Sequence, residues 1–260
     1  MHSPLAMFRL IPSNALRDFL NDLDAPVTRI ADGVTCMDLI LQVLCDSGLK
    51  ISCQFSDESR LICHADVMSL IQHARMHERH KTILDLYRYG GDRLYAGEPV
   101  TQLEHAWQCG RLAEKSGANA ALQLASWLHD LGHLWVNSPG TPTLRGEDDL
   151  HEAVAADILA PLFGSAVAEP VRLHVQAKRY LVTTNRAYAA KLSQDSTRSL
   201  GLQGGVMSAQ ECASFEAQPY FKDALKLRVW DDLGKKKAWF EDSRDDALTY
   251  LEKLMQAAAS

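Results

Sequence analysis

At 260 residues, with 47% hydrophobic and 23% charged side chains, the chain has the size and composition of a globular protein with one large domain, or one domain and an appendage. Its formal net charge is −6 and it has no basic block or stripe, which argues against nucleic acid as a main partner. No uncharged apolar run approaches the roughly 20 residues of a membrane helix, and the N-terminus has no apolar core of a signal peptide. We therefore expect a cytoplasmic protein that does not bind membranes.

The first third of the chain carries no motif that points to a chemistry. Helical spacing occurs over 14–23 and 36–47, and two short strands are predicted over 50–55 and 60–64. Residues 1–75 are therefore predicted to form a small appendage of unknown role.

The six cysteines form no CxxC pair, and their spacing matches no disulfide or zinc framework. Four of them accompany His64 in the first third, where a metal site is possible but a packed segment is the favoured interpretation. We expect reduced thiols that pack as small hydrophobic side chains. They are Cys36, Cys45, Cys53, Cys63, Cys109 and Cys212.

From residue 65 onward the pattern is almost entirely helical. The first helix is predicted over 65–89 and ends at Gly90 and Gly91. It holds His73 and His77 at i,i+4 spacing, but their charged neighbours favour a solvated polar face over a metal pair.

The remaining helices follow from capping and breaking residues. The segment 183–205, with its serines and the run LGLQGG, is predicted to be more loop than helix, and Ser208 with Glu211 forms a capping box that begins a short helix. We predict an all-α bundle over 76–260, with its longer helices at 99–116, 119–134, 148–163, 166–180, 223–235 and 244–258.

The segment LASWLHDLGHLW, residues 124–135, places three polar side chains inside an apolar run and is predicted to be a buried helix. His129 followed by Asp130 offers an imidazole nitrogen and a carboxylate oxygen from one turn, a donor set that suits iron, manganese or zinc. His133 lies one turn later on the same face as His129. A single His-Asp pair is weak support for a metal site.

Further histidines on the predicted helices strengthen that interpretation, because bundles build metal sites from imidazoles that face inward from several helices. Any one of them alone is more often a core or surface histidine. Four histidines and two aspartates are more than one ion needs while open positions remain, so they fit two adjacent metals bridged by a carboxylate. His133 would then lie beside the metals or face the substrate. The predicted ligands are His105, His129, Asp130 as the bridge, His151, His174 and Asp231.

Five motifs together resemble the PhnZ-type phosphonate oxygenases of the HD-domain superfamily. The resemblance covers about residues 76–243 and leaves residues 1–75 unexplained. The motifs are YxGExxxxLEHxxQ at 95–108, LHDLGH at 128–133, HVQAKRYL at 174–181, LSxxSxxSLxLQGG at 192–205 and RVWDDLGK at 228–235.

The resemblance implies a mixed-valent diiron enzyme, with an Fe2+ and an Fe3+ ion, that uses O2 to cleave the C–P bond of 2-amino-1-hydroxyethylphosphonate. The products are phosphate and a carboxylic acid, here glycine. It also implies how the ligands divide between the two irons. His105, His129, Asp130 and Asp231 hold one iron, and Asp130, His151 and His174 hold the other.

The resemblance implies that His133, Lys178 and Ser196 bind the phosphonate, and that Gln203 lines the same pocket. A lysine one turn after His174 supplies the positive charge that a dianion needs.

The loop before the helix of His105 carries two further residues with implied catalytic roles, besides His133 and Lys178. In the family the residue at Tyr95 occupies an iron site when substrate is absent, and the residue at Glu98 recognises the amine of the substrate. A related oxygenase takes the trimethylammonium analogue and yields glycine betaine. A quaternary ammonium favours aromatic walls, for which Tyr95, Tyr180 and Tyr188 are candidates. The sequence is compatible with either substrate.

Two alternatives from other classes remain. HD-domain phosphohydrolases also use one or two metals, to activate water against a phosphate ester, and they share the His-Asp pair. The loop of Tyr95 and Glu98 and the serine-rich LQGG segment favour the oxygenase. A catalytically silent sensing module would be expected to lack a ligand, and none of the six is missing. The oligomeric state is not predicted.

Overall fold

The computed structural model describes residues 78–95, 97–136 and 142–259. Within these ranges all regular elements are helical, and the β pairing found there is an isolated antiparallel bridge between Leu94 and Thr101. The all-α prediction is confirmed. No helix in this part of the chain has the length and apolar character needed to cross a membrane. The predicted appendage, with His64, the pair His73/His77 and four cysteines, lies outside the described residues, and its boundary at residue 75 stays a prediction.

The helices are numbered here in chain order. A 3-10 turn, Pro142–Arg145, lies between α4 and α5. Helix α1 covers residues 78–90, and the others are α2 Gln102–Lys115, α3 Ala120–Leu128, α4 Leu131–Val136, α5 His151–Phe163, α6 Ser165–Thr184, α7 Arg186–Ala189, α8 Gln194–Leu202, α9 Ala209–Glu216, α10 Phe221–Leu233 and α11 Arg244–Ala258.

Helix α6 lies at the centre of the bundle and packs against α5, α10 and α3. Its buried face follows the helical repeat, with Val167 and Val171 followed by His174 and Lys178 at steps of three or four residues. The two polar residues therefore continue an apolar stripe and point into the bundle rather than into solvent. His174 is 1% exposed and Lys178 is 3% exposed.

Helix α2 begins at Gln102, so the prediction that it starts at Pro99 is wrong. Thr101 is the N-cap and forms a capping box with Glu104. Pro99 lies in the preceding turn, which folds back so that the Tyr95 amide donates to the Val100 carbonyl at 2.9 Å. This turn places Tyr95 next to the start of α2.

The predicted continuous helix over 119–134 is broken at His129 and Asp130, which separate α3 from α4. The His129 ring nitrogen Nδ1 lies 2.9 Å from the Ser126 carbonyl. In a continuing helix that carbonyl would accept from the amide of Asp130. The side chain of His129 thus takes over a main-chain hydrogen bond, and the break turns His129 and Asp130 toward the same point.

The start of α5 and the conformation of residues 183–205 also differ from the sequence prediction, while the ends of α6 and α10 differ from it by one to four residues. Helix α5 begins at His151 rather than Asp148, because Leu150 adopts a left-handed conformation with φ of 49°. Residues 183–205 are mostly helical, in α7 and α8, where a loop was predicted. The polar residues that suggested a loop act as N-caps there: Asn185 accepts from the Tyr188 amide and Ser193 accepts from the Ser196 amide.

Candidate metal centre and adjoining cavity

The structure brings the twelve predicted site residues to one place. A cavity of about 560 Å³ opens beside α6, a volume typical of small-molecule sites. Two of the predicted residues, His105 and His129, lie behind Asp130 and do not line it. The ten that do are Tyr95, Glu98, Asp130, His133, His151, His174, Lys178, Ser196, Gln203 and Asp231.

One set of donor atoms surrounds oxygen Oδ2 of Asp130. This oxygen lies 3.3 Å from His129 Nε2 and 3.5 Å from His105 Nε2. The two Nε2 atoms are 3.3 Å apart, and Asp231 Oδ1 is 3.5 Å from His105 Nε2 and 3.9 Å from His129 Nε2. Ligands at bond lengths near 2.1 Å lie roughly 3.0–3.4 Å from one another. The two imidazoles and Asp130 Oδ2 are therefore close to the spacing of ligands around a single ion, and Asp231 Oδ1 lies slightly farther out.

A second set surrounds the other oxygen of the same carboxylate. Asp130 Oδ1 lies 3.5 Å from His151 Nε2 and 3.8 Å from His174 Nε2. The two Nε2 atoms are 3.2 Å apart. His133 Nε2 lies farther from Oδ1, at 4.0 Å. The two sets therefore share Asp130, one oxygen each, as two neighbouring ions would require.

Each of the four ligand histidines directs its Nδ1 to an acceptor, which leaves the lone pair on Nε2 for a metal. Two Nε2 lone pairs that face each other cannot form a hydrogen bond, so both close Nε2 pairs call for a cation. The Nδ1 partners are Gly234 O for His105 at 2.8 Å, Ser126 O for His129 at 2.9 Å, Asp149 Oδ1 for His151 at 2.9 Å and Val171 O for His174 at 2.7 Å.

The charge states of His174 and Asp130 suit metal ligands, which bind as neutral imidazoles and ionised carboxylates. Burial, together with the neighbouring His151 and His129, lowers the pKa of His174 well below its usual value. Burial raises the pKa of Asp130, but the surrounding histidines outweigh it and hold that pKa well below its usual range. His129 differs: burial lowers its pKa, but the neighbouring Asp130 outweighs burial and raises it, so a metal would bind there in place of a proton. Asp130 Oδ2 and Asp231 Oδ1 are buried without a hydrogen-bond partner. An unpaired buried carboxylate oxygen is costly, and a bound cation removes that cost.

Cys109 lies next to this centre, with Sγ 3.8 Å from both ring nitrogens of His105. Burial, with the charges of Asp231 and Asp130, raises the pKa of its thiol well above the usual value. The protonated thiol donates to the Trp230 carbonyl at 3.5 Å. Its Sγ also lies within 4.8 Å of ring nitrogens of His105 and His129, but the thiolate and not the protonated thiol is a metal ligand. Cys109 is therefore assigned a packing role beside His105, in line with the reduced, packed cysteines expected from the sequence.

One end of the cavity is cationic. Lys178 Nζ donates to Ser199 Oγ at 2.8 Å. Arg228 and Lys235 approach Ser196 Oγ at 3.3 Å and 3.4 Å. These three cations and two hydroxyls all line the cavity, and charged donors grouped in this way bind an anion strongly.

Sequence reasoning missed Arg228, Lys235 and Asp149 as site residues. Arg228 and Lys235 are the first and last residues of the motif RVWDDLGK. Arg228 lies three residues before Asp231 and Lys235 four residues after it, a spacing that places both cations next to Asp231 on a helix. Arg228 donates to Asp231 Oδ2 at 2.6 Å, and Lys235 Nζ lies 3.4 Å from Oδ1. Asp149, two residues before His151, contacts two imidazoles and gave no comparable pattern.

Carboxylates also line the cavity, among them Glu98, Glu147, Asp148 and Asp149. Glu98 acts on the cationic group. Burial lowers the pKa of Lys235, but the charges of Asp231, Asp232 and then Glu98 help to raise it overall. Tyr95 lies beside the metal donors. Its ring stacks on His105 at 4.0 Å between centroids. Burial raises the pKa of Tyr95 well above its usual value, and the charge of Asp130 and a hydrogen bond with it raise it further.

The other two tyrosines considered for the substrate cation lie elsewhere. Tyr180 packs on Phe215 and Phe221. Tyr188 donates its hydroxyl to Asp232 and accepts from Arg228. Neither is among the described lining residues of the cavity.

Gln203 ends α8 and faces the cavity, where its Oε1 atom is buried without a hydrogen-bond partner. The two glycines that follow have φ values of 96° and 68° and form a tight turn. Arg179 holds this turn through the Gly205 carbonyl at 3.0 Å. The LQGG segment thus supplies one polar atom to the cavity.

The comparisons with known proteins agree with this site. The chain matches no protein-family model. It is 45% identical over 161 residues to a hydroxymethylphosphonate dioxygenase of Gimesia maris, and the match covers 62% of this chain and 80% of that protein. It is 40% identical over 146 residues to a [1-hydroxy-2-(trimethylamino)ethyl]phosphonate dioxygenase (glycine-betaine-forming) of Leisingera caerulea. That match covers 56% of this chain and 74% of the relative.

A third relative, an uncharacterized protein of Acanthamoeba polyphaga mimivirus, is 40% identical over 156 residues, with 59% of this chain and 71% of that protein covered. Two relatives at 40–45% identity, each matched over more than two thirds of its length, are phosphonate dioxygenases. The chain therefore belongs to the PhnZ-type family of phosphonate dioxygenases.

Proposed function

We propose that this chain is an iron-dependent oxygenase that uses O2 to cleave the C–P bond of 2-amino-1-hydroxyethylphosphonate, giving phosphate and glycine. The observation that carries the proposal is the position of the two donor sets. They share Asp130 and open onto a cavity whose lining includes the cationic group around Lys178 and the carboxylate of Glu98.

Nitrogen and oxygen donors suit iron. We propose that His105, His129, Asp130 and Asp231 hold one iron ion, and that Asp130, His151 and His174 hold a second. Such a pair supplies the redox chemistry for reaction with O2. The protein keeps Asp231 ionised for this role, because Arg228 and Lys235 outweigh burial and hold its pKa well below the usual range.

The cationic end is proposed to bind the phosphonate. Lys178 and Ser196 lie in this end, and their buried donors would replace the hydration of the anion. His133 borders the same space, with Nε2 4.0 Å from Asp130 Oδ1, and is proposed to form a hydrogen bond with the substrate. Gln203 offers an unpaired buried oxygen to the hydroxyl or amine. Tyr95, which stacks on His105, is proposed to move aside when the substrate enters.

Glu98 is proposed to select the cation of the substrate. Its carboxylate lines the cavity and would pair with a primary ammonium, which donates hydrogen bonds that carboxylates accept. A trimethylammonium group donates none and favours several aromatic walls. Among the described lining residues, Tyr95 is the sole phenol or indole ring. The cavity therefore favours the primary amine over the trimethylammonium analogue, and over hydroxymethylphosphonate, which has no cation.

The first experiment is to measure phosphate release from the three phosphonates by the iron-loaded protein, in air and without O2. We expect O2-dependent phosphate release, fastest with the amino substrate and with glycine as co-product. Faster turnover of hydroxymethylphosphonate would contradict the proposed role of Glu98. Release without O2, together with hydrolysis of phosphate esters, would instead support the phosphohydrolase.

The phosphohydrolase alternative shares the metal chemistry, since two metals also activate water. The dioxygenase relatives favour the oxygenase over it. The sensing module is disfavoured by the presence of all six donors within one centre.

A further inference from the structure

Two imidazoles beside the metal donors share one carboxylate. His151 Nδ1 lies 2.9 Å from Asp149 Oδ1, and His133 Nδ1 lies 2.6 Å from Asp149 Oδ2. The two rings stack at 4.1 Å between centroids, 22° from parallel. One is a proposed metal ligand and the other is proposed to contact the substrate, so Asp149 joins the two parts of the site.

The backbone brings the three side chains together. A Cβ atom at Gly132 would lie 2.2 Å from the carbonyl oxygen of His151, so the absence of a side chain lets α4 approach the first residue of α5. This contact places His133 directly against His151. The left-handed conformation of Leu150, with φ of 49°, turns the chain between Asp149 and His151.

An ionised carboxylate accepts hydrogen bonds and donates none. Both rings must therefore present an N–H from Nδ1 to Asp149, which fixes the lone pair of each neutral ring on Nε2. The Nε2 atom of His151, which then carries the lone pair, lies 3.2 Å from His174 Nε2. The Nε2 atom of His133 faces Asp130 Oδ1 at 4.0 Å.

We propose that Asp149 is a positioning residue that holds His151 in its metal-binding tautomer and His133 in the matching tautomer, so that one carboxylate orients both the metal centre and the substrate contact. This inference rests on the proposed dinuclear site. It goes beyond it because Asp149 itself is assigned to no metal and to no part of the substrate.

Glu152 provides the matched control. Its Oε2 atom is buried, has no hydrogen-bond partner and lies 3.5 Å from His151 Nδ1, farther than Asp149. It is the alternative acceptor for the same ring nitrogen, and no contact joins it to His133 among the described interactions. If proximity of any carboxylate sufficed, Glu152→Gln and Asp149→Asn would have equal effects.

The test that needs no metal is nitrogen NMR of the histidine rings in metal-free protein at alkaline pH, where the imidazoles are neutral. We expect His133 and His151 to carry their proton on Nδ1 in the parent protein and in Glu152→Gln. An amide offers one acceptor and one donor group, so Asp149→Asn should move the proton of at least one of these rings to Nε2. Both rings unchanged in Asp149→Asn, or either ring protonated on Nε2 in the parent, would overturn the proposal.

The second readout is metal affinity, measured by titration of metal-free Asp149→Ala and the parent protein with Mn2+ or Fe2+ in the absence of O2. Loss of such a supporting partner typically weakens metal binding by about 10- to 100-fold. We expect this loss for one of the two ions bound per chain, with the other unchanged. An unchanged affinity for both would overturn the proposal. Binding of no metal by the parent protein would instead contradict the proposed function, while the ring signals would still test Asp149. The other histidine signals report whether each variant is folded.

Discussion

Arg228 donates to oxygen Oδ2 of Asp231 at 2.6 Å, and the other oxygen, Oδ1, faces His105 Nε2 at 3.5 Å and Lys235 Nζ at 3.4 Å. One helix supplies both residues, three positions apart. The guanidinium thereby fixes which carboxylate oxygen serves the metal centre. The same guanidinium also donates to Asp232, Ser196 and Tyr188, so it ties α10 to α7 and α8.

Arg228→Gln is expected to destabilise the protein by about 3–5 kcal/mol, because it leaves buried carboxylates without their partner. Chemical denaturation of the metal-free protein measures this. The control is Arg172→Gln, which removes a half-exposed guanidinium paired with Asp157 and Glu169. We expect that control to cost less than about 1 kcal/mol. Equal effects in the two variants would show that Arg228 is not a buried anchor.

Binding of the phosphonate is expected to weaken as the pH rises above 7. Burial, with the nearby Arg228, lowers the pKa of Lys178 from 10.5 to about 7. Below that pH the ammonium is present to pair with the anion, and above it the neutral amine must take up a proton when the substrate binds. The dependence of KM on pH measures this.

Lys178→Arg is the control for that dependence, because a guanidinium keeps its charge across the range. The ionisation of the substrate itself is common to both proteins and cancels in the comparison. KM should rise with pH more steeply in the parent than in the arginine variant. The same slope in both would contradict the role of Lys178.

Gly132→Ala is expected to destabilise the protein by about 1–3 kcal/mol, since the new Cβ atom would meet the His151 carbonyl oxygen at 2.2 Å. Gly201→Ala in α8 is the matched control, because nothing lies within 4 Å of its added Cβ. We expect the control to be neutral or to stabilise by up to about 1 kcal/mol. Thermal unfolding of the two variants separates a packing clash from a general effect of removing glycine.

Glu98→Gln is expected to raise KM for the amino substrate by about 10-fold or more, since hydrogen bonds between charged groups contribute about 1.5–3 kcal/mol. KM for hydroxymethylphosphonate, which carries no cation, should change little. Comparison of the two substrates in one variant removes any general loss of activity. Equal losses for both would show that Glu98 supports the loop rather than the amine.

The sequence predicted the donor set because each ligand lies in a local setting that a linear pattern reveals. His129 and Asp130 interrupt an apolar run, and His174 continues an apolar stripe on α6. Helix α11 was predicted with its observed bounds, since Ser243 and the acidic first turn mark its start locally. The pattern was wrong where side chains compete with the backbone: His129 takes the Ser126 carbonyl and breaks the helix, and serine caps create α8 where a loop was expected.

By itself, the sequence determined the all-α class, the identity of the candidate ligands and the family resemblance, because residue type and helical spacing are local properties. Only the tertiary structure decided how Asp130 divides its two oxygens between the donor sets, that Lys178 is buried, and that Arg228 and Asp149 join the site. These depend on contacts between elements such as α4 and α5, whose approach is set by the missing side chain of Gly132. No spacing along the chain records the distance between atoms that the fold brings together from different helices.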